Sequence, residues 1–407
     1  MKLRAYAFAL LPLLFFPALA AEELSFSEAI AGGDATLSFR YRFEFVDQDS
    51  IAKEAKVSTL RSRLSYKTAS WSDFSAVLEM DNIASIGPDD YNSSRNGKTT
   101  YPVVADPTGT SVNEAYIQFA GMENTVLKYG RQRINLDGQR FVGGVGWRQN
   151  EQTFSGLRAV NKSVSDLELN YIYISDVSRI FGPDDGAPGT PVRSFDSNSH
   201  VVHAVYSGLP AGRLSAYGYF LDLELAPALS SCTFGLRFAG ASDLSGETRL
   251  KYTLEFARQS DYKDNPGNYS ENYFLGELGV EVGHYSIMLG YESLGGQNGD
   301  PGMSFQTPLA TLHIFQGWAD KFLSNPAGGV TDSYLSFGAR LGDYKAALVY
   351  HQFDQEDGSL DYGDEWDFSI SRKFAGGYGT LLKFASYSAD ALATDTTKIW
   401  LMFSASY

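Results

Sequence analysis

The sequence predicts a transmembrane antiparallel β-barrel of 18 strands, with 16 strands as the fallback, built as a single domain. Three observations predict this fold. Segments with a period of two recur from residue 34 to the C-terminus, tight turns alternate with long polar loops, and the composition favours strands. The 407 residues include 40 Gly, 25 Tyr and 27 Phe but only one Cys, at position 232. A single cysteine excludes a disulfide framework and any Cys₄ or Cys₂His₂ zinc site within this chain.

The first 20 residues are predicted to be a secretory signal peptide, not part of the fold. A short basic start precedes an apolar run, and Ala18 and Ala20 stand where a signal peptidase reads small residues. A membrane anchor is the alternative, but the run is shorter than the ~20 residues of a helical span. The domain prediction is a signal peptide at 1–20 and one barrel over 21–407, located in the cell outer membrane.

The strands and connections follow from this alternation. Eighteen strands are predicted near 34–46, 55–68, 73–84, 111–121, 124–133, 152–160, 165–175, 199–208, 212–222, 232–240, 247–259, 271–282, 285–293, 331–341, 343–353, 364–374, 377–388 and 396–407. Long polar loops are predicted at 85–110, 134–151, 176–198, 260–270, 294–330 and 354–363. Short periplasmic turns opposite long extracellular loops are the asymmetry of an outer-membrane barrel. Tyrosines near strand ends (171, 173, 217, 219, 285, 291) are predicted to form the two membrane-interface girdles.

The first two strands place several arginines inside the barrel. If Leu37 to Phe45 face lipid at alternate positions, then Arg40, Arg42 and Glu44 face the lumen. On the second strand the same parity turns Arg61, Arg63 and Lys67 inward. A connection centred near residues 50–51 pairs Arg40 with Arg61, although like charges directly across a strand pair are destabilising.

Two interpretations of this basic cluster remain open. In the first, the arginines form an anion path, since a guanidinium binds carboxylate bidentately and keeps its charge. In the second, they belong to an ion ladder in the wall, with Glu79 and Asp81 on the third strand as partners and Arg61 opposite Glu79. The basic residues are also uneven, because positions 34–160 hold 15 Lys and Arg whereas the longer stretch 161–407 holds 16.

The fifth strand leaves Arg131 and Arg133 undecided. They share the parity of Leu127 and Tyr129, which would direct them towards lipid near the loop-side interface. A bulge at Gly130 would instead turn them inward.

Two runs resemble the alginate-export domain family of outer-membrane β-barrels. They are KYGRQRINLDGQRFVGGVGWRQNEQTF at 128–154 and TPLATLHIFQGWADKFL at 307–323. The resemblance implies an 18-stranded channel with an arginine-rich lumen that passes an acidic polysaccharide, although family members need not act on alginate itself.

The glycine-rich loop of the first run has two possible placements. It carries Arg133, Arg140 and Arg148 around two aromatic residues, Phe141 and Trp147. Tucked into the lumen, it would narrow the pore and offer surfaces for sugar rings and carboxylates. Alternatively, it is an ordinary outer loop held by its own aromatics. The candidate pore-lining and anion-binding residues are Arg40, Arg42, Arg61, Arg63, Lys67, Lys128, Arg131, Arg133, Arg140, Arg148 and Arg158, with Glu44, Glu79 and Asp81 as lumen counter-charges.

The predicted function is an outer-membrane channel or porin that passes anionic solutes, with a general-diffusion or structural barrel as the alternative. The net charge of −15 argues against nucleic acid as a partner. The expected partners are outer-membrane lipids and lipopolysaccharide, an anionic solute or saccharide, and the barrel-assembly machinery, which reads a terminal aromatic residue such as Tyr407. Neither a catalytic site, a metal nor a cofactor is predicted. The acidic loop at 354–361 is interpreted as a solvated outer loop, with calcium binding as the alternative.

Overall fold

The chain folds into one closed antiparallel β-sheet of eighteen strands. The structure is a computed structural model that describes residues 24–297, 300 and 302–407. Pairing of the first strand with both the second and the last closes the sheet into a barrel, so no strand edge is left open. The predicted fold and strand number are therefore confirmed, whereas the predicted signal peptide lies outside the described residues.

Every predicted strand is present within a few residues of its predicted bounds. The strands are β1 Asp34–Gln48, β2 Ala55–Lys67, β3 Phe74–Asp90, β4 Gly109–Met122, β5 Thr125–Gln132, β6 Thr153–Asn161, β7 Leu167–Ser178, β8 Ser194–Leu209, β9 Gly212–Leu221, β10 Ser231–Ser245, β11 Thr248–Asp261, β12 Ser270–Val282, β13 Tyr285–Leu294, β14 Val330–Leu341, β15 Tyr344–Asp354, β16 Asp361–Phe374, β17 Tyr378–Ala389 and β18 Thr396–Ser406. A helix, α1 Phe26–Ala31, precedes them, and two 3₁₀ turns lie at Pro227–Leu229 and Leu312–Ile314. Among the helices of the described residues, none has both the length and the apolar composition to cross a membrane.

The connections are sorted by length to the two ends of the barrel. Eight short turns lie at the end that carries α1 and the C-terminus, and nine loops, L1 to L9 in chain order, lie at the other end. The strands extend furthest into two of the predicted loops, because β3 continues to Asp90 and β8 begins at Ser194. The longest loops are L2 (91–108), L3 (133–152), L4 (179–193) and L7 (295–329).

The outer face of the wall is apolar, as the alternation predicts. The side chains of four outward residues are all about half exposed: Leu64, Leu78, Leu254 and Leu278. Two of the six predicted girdle tyrosines are an exception, because Tyr217 and Tyr219 are buried inside the barrel. Tyr217 and Tyr219 share the inward parity of Ser215 on β9, whereas Leu214, Ala216 and Phe220 take outward positions.

The main apolar core lies inside the barrel and is built by two loops folded inward. Phe141 of L3 contacts Tyr217, Tyr219 and Tyr273 of the wall at ring-centroid distances of 5.2, 5.6 and 5.3 Å. Phe305 of L7 completes the cluster at 6.0 Å from Phe141. Burial of several aromatic rings stabilises such a cluster by about 1.5–3 kcal/mol for each side chain. L3 and L7 therefore form an inserted plug, and the lumen is narrowed from within.

A charged substitution distinguishes the two faces of the wall. We expect Leu278→Arg, on the outer face of β12, to destabilise the barrel in bilayers by about 2–4 kcal/mol, because lipid does not solvate the guanidinium. The matched control is Ala239→Arg, on the inner face of β10 in line with Arg237, where the free energy of unfolding should change little. Urea titration of the protein in phospholipid vesicles measures both, and an equal loss for the two variants would contradict the assigned faces.

Candidate channel constriction

The inner wall of β1 and β2 carries the arginine cluster. Arg40 lies directly opposite Arg61, as the sequence predicts, and Ser38 lies opposite Arg63. Arg42 and Arg61 are 1% and 8% exposed. Four guanidiniums on two neighbouring strands repel one another and lose hydration when buried, so this wall requires compensating partners.

L3 supplies the partners of Arg40. Its Nε donates to Oε1 of Gln149 at 3.0 Å, and its terminal nitrogens donate to the carbonyl oxygens of Gly146 (2.8 Å) and Arg148. The side-chain amide of Gln149 in turn donates to the Thr59 hydroxyl at 2.9 Å. Backbone carbonyls of an inserted loop therefore solvate a guanidinium that faces another guanidinium across the strand pair.

Arg42 is held by a second loop and an aromatic ring. Its guanidinium lies 3.0 Å from Oδ2 of Asp106 in L2, donates to the carbonyl of Trp147, and stacks over the Trp147 ring at 4.3 Å. Asp106 also accepts the backbone N–H of Gln149 at 2.8 Å. Asp106 of L2 thus contacts both Arg42 of β1 and the backbone of L3.

Glu151, near the end of L3, is shared by three arginines. Its carboxylate lies 3.4 Å from Arg61, 2.9 Å from Arg63 and 2.5 Å from Arg133. Burial alone would raise the pKa of Glu151, but the charges of Arg63, Arg133 and Arg61 outweigh it and lower the pKa to about 2. The carboxylate is therefore ionised at neutral pH and joins L3 to the basic wall.

The predicted pairing of Arg61 with Glu79 is wrong, because the β2–β3 register is shifted by four residues. Arg61 lies opposite Ile83, whereas Asp81 lies opposite Arg63 and accepts a bidentate pair of hydrogen bonds from it at 2.6 and 2.7 Å. The tight turn centres on Ser72 and Asp73, both at positive φ, and not on residue 70. This shift moves every partner of β2 along β3.

Arg131 and Arg133 point to different sides of the wall. The β5 register runs through Gly130 without a shift, so the proposed bulge is absent and Arg131 keeps the outward parity of Tyr129. Its guanidinium donates to the Val112 carbonyl at 3.1 Å, near the loop end. Arg131 is therefore not pore-lining, and its assignment to the lumen is corrected. Arg133 lies beyond the strand and reaches inward.

Arg133 joins the acidic groups of three segments. Its guanidinium lies 2.9 Å from Glu79 and 3.0 Å from Glu114, in addition to its contact with Glu151. Asn113 donates to Glu79 at 2.7 Å. Glu79, a predicted counter-charge, therefore lies closer to Arg133 of L3 than to any arginine of β2.

The other two arginines of L3 cross the lumen. Arg140 lies 2.8 Å from Glu292 on β13, and Arg148 lies 3.3 Å from Glu44 on β1 and 3.1 Å from Asp320 of L7. Phe141 and Trp147, which were expected to offer surfaces for sugar rings, are packed inside the plug. Arg140, Phe141 and Trp147 thus hold the plug in place, whereas Arg148 also borders the cavity on the loop side of the plug.

L7 is fixed to a separate, acidic part of the wall, on β13 and β16. The backbone N–H groups of Trp318 and Ala319 donate to Asp367 (3.1 Å) and Glu365 (2.7 Å) of β16. The side chain of Gln316 donates to Glu292 at 2.8 Å. L3 and L7 therefore use complementary groups: L3 offers oxygens to a basic wall, and L7 offers N–H groups to an acidic one.

A buried hydrogen-bond chain links L7 to the last two strands. Lys383 donates to Nε2 of His313 (2.7 Å), whose Nδ1 donates to Asp320 (2.7 Å), and Lys398 also lies 2.8 Å from Asp320. Burial and the ammonium of Lys383 hold the pKa of His313 well below its ordinary value, so the imidazole is neutral. The Trp318 ring lies 3.6 Å from the Lys383 ammonium.

Three basic side chains lie on the turn side of the arginine cluster. Lys128 lies opposite Arg158 in the register, and Lys67 is close enough for its charge to act on Lys128. Arg158 donates to Asn170 at 2.8 Å, and Lys128 lies 4.6 Å over the Tyr116 ring. Among the residues that the structure describes, none of the three forms an ion pair within 4.0 Å.

A cavity of about 590 Å³ opens on the loop side of the plug. Its charged lining comprises Arg148, Arg179, Lys321 and Lys398 with one carboxylate, Asp320, beside the neutral His313. Arg179 stacks on Phe195 at 4.4 Å and Lys321 lies 5.9 Å from the Tyr387 ring. Within the described part of the chain, neither of these two cations has a carboxylate within 4.0 Å.

Several central residues were not predicted from the sequence. They are Asp106, Glu114, Gln149, Glu151 and Asp320, all on loops except Glu114. Charge balance was the available signal, because buried guanidiniums require carboxylates or carbonyls and β3 alone offers too few. Which loop supplies them depends on loop geometry, which strand periodicity does not encode.

Comparison with known proteins agrees with this architecture. The family model described as alginate export matches residues 34–175, about a third of the chain, and confirms the resemblance predicted from the sequence. No curated protein sequence matches. Three similar solved structures are OccAB2 of Acinetobacter baumannii and two proteins of Pseudomonas aeruginosa, OccK9 (OpdG) and OpdK with vanillate. Their TM-scores are 0.72, 0.70 and 0.70 at 15%, 15% and 14% identity, and each match covers 93% of this chain and 99% of the other. The structural matches show the fold, a closed antiparallel β-barrel.

Removal of one carboxylate tests how L3 is held. We expect Glu151→Gln to leave three buried guanidiniums without their shared anion, which costs about 3–5 kcal/mol of local stability. Hydrogen exchange of the amides at 144–152 should accelerate accordingly. Glu114→Gln is the matched control, because Glu114 contacts Arg133 alone among these arginines.

Acid provides a second check on the same contact. The folded pKa of Glu151 lies below the ordinary value of 4.5, so its stabilisation is complete above that value and is lost only as the pH falls towards 2. Protection of the L3 amides from hydrogen exchange should therefore persist at pH 4.

For the substitutions, unchanged hydrogen exchange in Glu151→Gln, or equal acceleration in the control Glu114→Gln, would contradict the role of Glu151.

Proposed function

We propose that this chain, whose residues 34–175 match the alginate-export family, is an outer-membrane channel for anionic solutes. One observation carries the proposal: basic side chains that have no carboxylate partner among the described residues lie on both sides of the plug. Arg179 and Lys321 line the loop-side cavity, and Lys67, Lys128 and Arg158 lie on the turn side. In a chain with a net charge of −15, this arrangement favours anions locally.

The arginine cluster connects these two basic regions. Arg40, Arg42, Arg61 and Arg63 lie on β1 and β2 between them, but their guanidiniums are engaged by L2, L3 and β3. We infer that a solute moves along this wall by competing with loop carbonyls and carboxylates for the guanidiniums. A carboxylate ligand matches the bidentate geometry of an arginine fork.

The solute class best supported is a small acidic saccharide or another carboxylate. The family description names alginate export, and a barrel of similar fold, OpdK, was solved with vanillate. A cavity of 590 Å³ is of the size that holds a small ligand. The outer-membrane location, the surrounding lipids and lipopolysaccharide, and the barrel-assembly machinery as a partner belong to the same proposal.

A structural or general-diffusion barrel is the second candidate. The observation that favours it is the extent of pairing in the arginine cluster, where Arg63 is bidentate to Asp81 and Glu151 is shared by three guanidiniums. If these pairs serve only the wall and the plug, the lumen would show weak selectivity.

The direct test is selectivity in a planar bilayer. We expect Lys128→Gln with Arg158→Gln to lower the anion-to-cation permeability ratio by on the order of sevenfold per charge, since a unit charge ~7 Å away in water contributes about 0.6 kcal/mol of opposite sign for an anion and a cation. Reversal potentials in a tenfold KCl gradient measure the ratio. The matched control is Arg258→Gln on the exposed outer face of β11, which should not change it. An unchanged ratio in the double variant would favour the structural barrel.

The lysine of the loop-side cavity predicts a pH dependence. Burial, with the added charge of Lys398, lowers the pKa of Lys321 to about 8, so its ammonium is charged at pH 7 and neutral at pH 9. Anion selectivity should therefore fall between pH 7 and pH 9. Lys321→Arg should keep its selectivity across this range, because a guanidinium stays protonated, and Lys321→Gln should show the lower value throughout. An identical fall in Lys321→Arg would contradict this assignment.

A further inference from the structure

The short helix before the barrel lies on the outer side of the wall. Its carbonyl at Ile30 accepts a hydrogen bond from the Tyr66 hydroxyl, and its carbonyl at Ala29 accepts one from the backbone N–H of Ala69 at 3.0 Å. Tyr66 shares the outward parity of Leu64, which is about half exposed. The helix therefore sits beside the barrel at its short-turn end and not beneath the lumen.

A local cap specifies this helix. The Ser25 hydroxyl accepts the backbone N–H of Glu28 at 3.3 Å, and the Glu28 carboxylate accepts the backbone N–H of Ser25 at 2.8 Å. This reciprocal capping box satisfies the first amide donors and fixes where the helix begins. One face then carries Phe26, Ala29 and Ile30, at the spacing of an apolar helical stripe.

The apolar face of the helix borders an open apolar groove. A cavity of about 360 Å³ lies between the helix and the β2–β3 turn, and it is lined chiefly by Phe26, Ile30, Trp71, Phe74 and Ile117. Phe26 and Trp71 meet edge to face at 5.4 Å. Both remain exposed, Phe26 at 61% and Trp71 at 41%. An exposed cluster of this kind requires a partner.

The groove is continuous with the lipid-facing surface of the barrel. Phe74 and Ile117 belong to the outward faces of β3 and β4, and Leu78 and Met80 continue the same face towards the middle of the wall. The polar groups of the helix, Ser27 and Glu28, lie away from this stripe. Trp and Phe beside a capped amphipathic helix are the pattern of a segment that lies in a membrane interface.

We propose that α1 is a membrane-interface anchor and that the groove between α1 and the β2–β3 turn takes phospholipid acyl chains of the leaflet on the short-turn side. The anchor fixes the depth of the barrel in the bilayer and covers the short-turn ends of β2 and β3. The inference rests on membrane insertion of the barrel and not on what its lumen passes.

Site-directed spin labelling tests the anchor in the full chain. Cys232→Ser removes the only cysteine, and Ile30→Cys, Ser27→Cys or Leu78→Cys then introduces one nitroxide site. In vesicles of dioleoylphosphatidylcholine, oxygen concentrates in lipid and a nickel chelate stays in water. We expect the label at Ile30 to collide with oxygen several-fold more often than with the chelate, as at Leu78, and the label at Ser27 to show the reverse.

The controls separate the possible failures. Leu24→Cys places the label on a second exposed apolar residue, just before the helix, in case a label at Ile30 disturbs the helix. Water-like collision rates at both Ile30 and Leu24, with a lipid-like rate at Leu78, would overturn the anchor while leaving the barrel inserted. Dipolar broadening between labels at Ile30 would overturn it in favour of a second copy of this chain. A water-like rate at Leu78 would instead refute membrane insertion and the proposed channel with it.

Discussion

Neutralisation of buried positive charge is the interaction on which the interior depends. Two neighbouring strands place four guanidiniums on one inner face, with Arg40 directly opposite Arg61. Like charges in this arrangement are destabilising unless oxygens surround them. The carbonyls and the Glu151 carboxylate of L3, with Asp106 of L2, supply those oxygens. The basic wall and the inserted loop therefore require each other.

The same requirement explains how the two inserted loops are arranged. L3 uses carbonyl and carboxylate oxygens against the basic wall, whereas L7 uses N–H groups against Glu365 and Asp367 on β16. Arg140 and Arg148 connect the two halves by reaching Glu292 and Asp320. Because each loop has its own wall, the plug has a defined orientation. In the proposed function, a solute that crosses the plug competes with these contacts, so selectivity and plug stability would share the same charges.

Strand periodicity was sufficient to predict the barrel. All eighteen strands, the sorting of turns and loops, and the Arg40–Arg61 register follow from alternation and from the length of a tight connection. Strand periodicity does not predict geometry that is set by irregular backbone. The turn at Ser72 and Asp73 shifted the β2–β3 register, and Tyr217 and Tyr219 lie on the inner face of β9 and not in an interface girdle.

The candidate site was predictable only in part, for a physical reason. Parity identified the lumen arginines, but the partners of those arginines come from loops whose path has no sequence period. Arg131 and Arg133 illustrate the limit: they differ by two positions, yet one remains on the outer face and the other leaves the strand and turns inward.

Coupling between Arg63 and Glu151 tests most directly whether L3 is held by the basic wall. The measurement is a double-mutant cycle of Arg63→Gln and Glu151→Gln, read as the free energy of opening from hydrogen exchange at 144–152. Residues that contact one another in a buried ion network are coupled by about 0.5–3 kcal/mol. We expect the double variant to lose less stability than the sum of the two single variants, by at least ~1 kcal/mol. Additive losses would contradict the dependence of the inserted loop on the arginine wall.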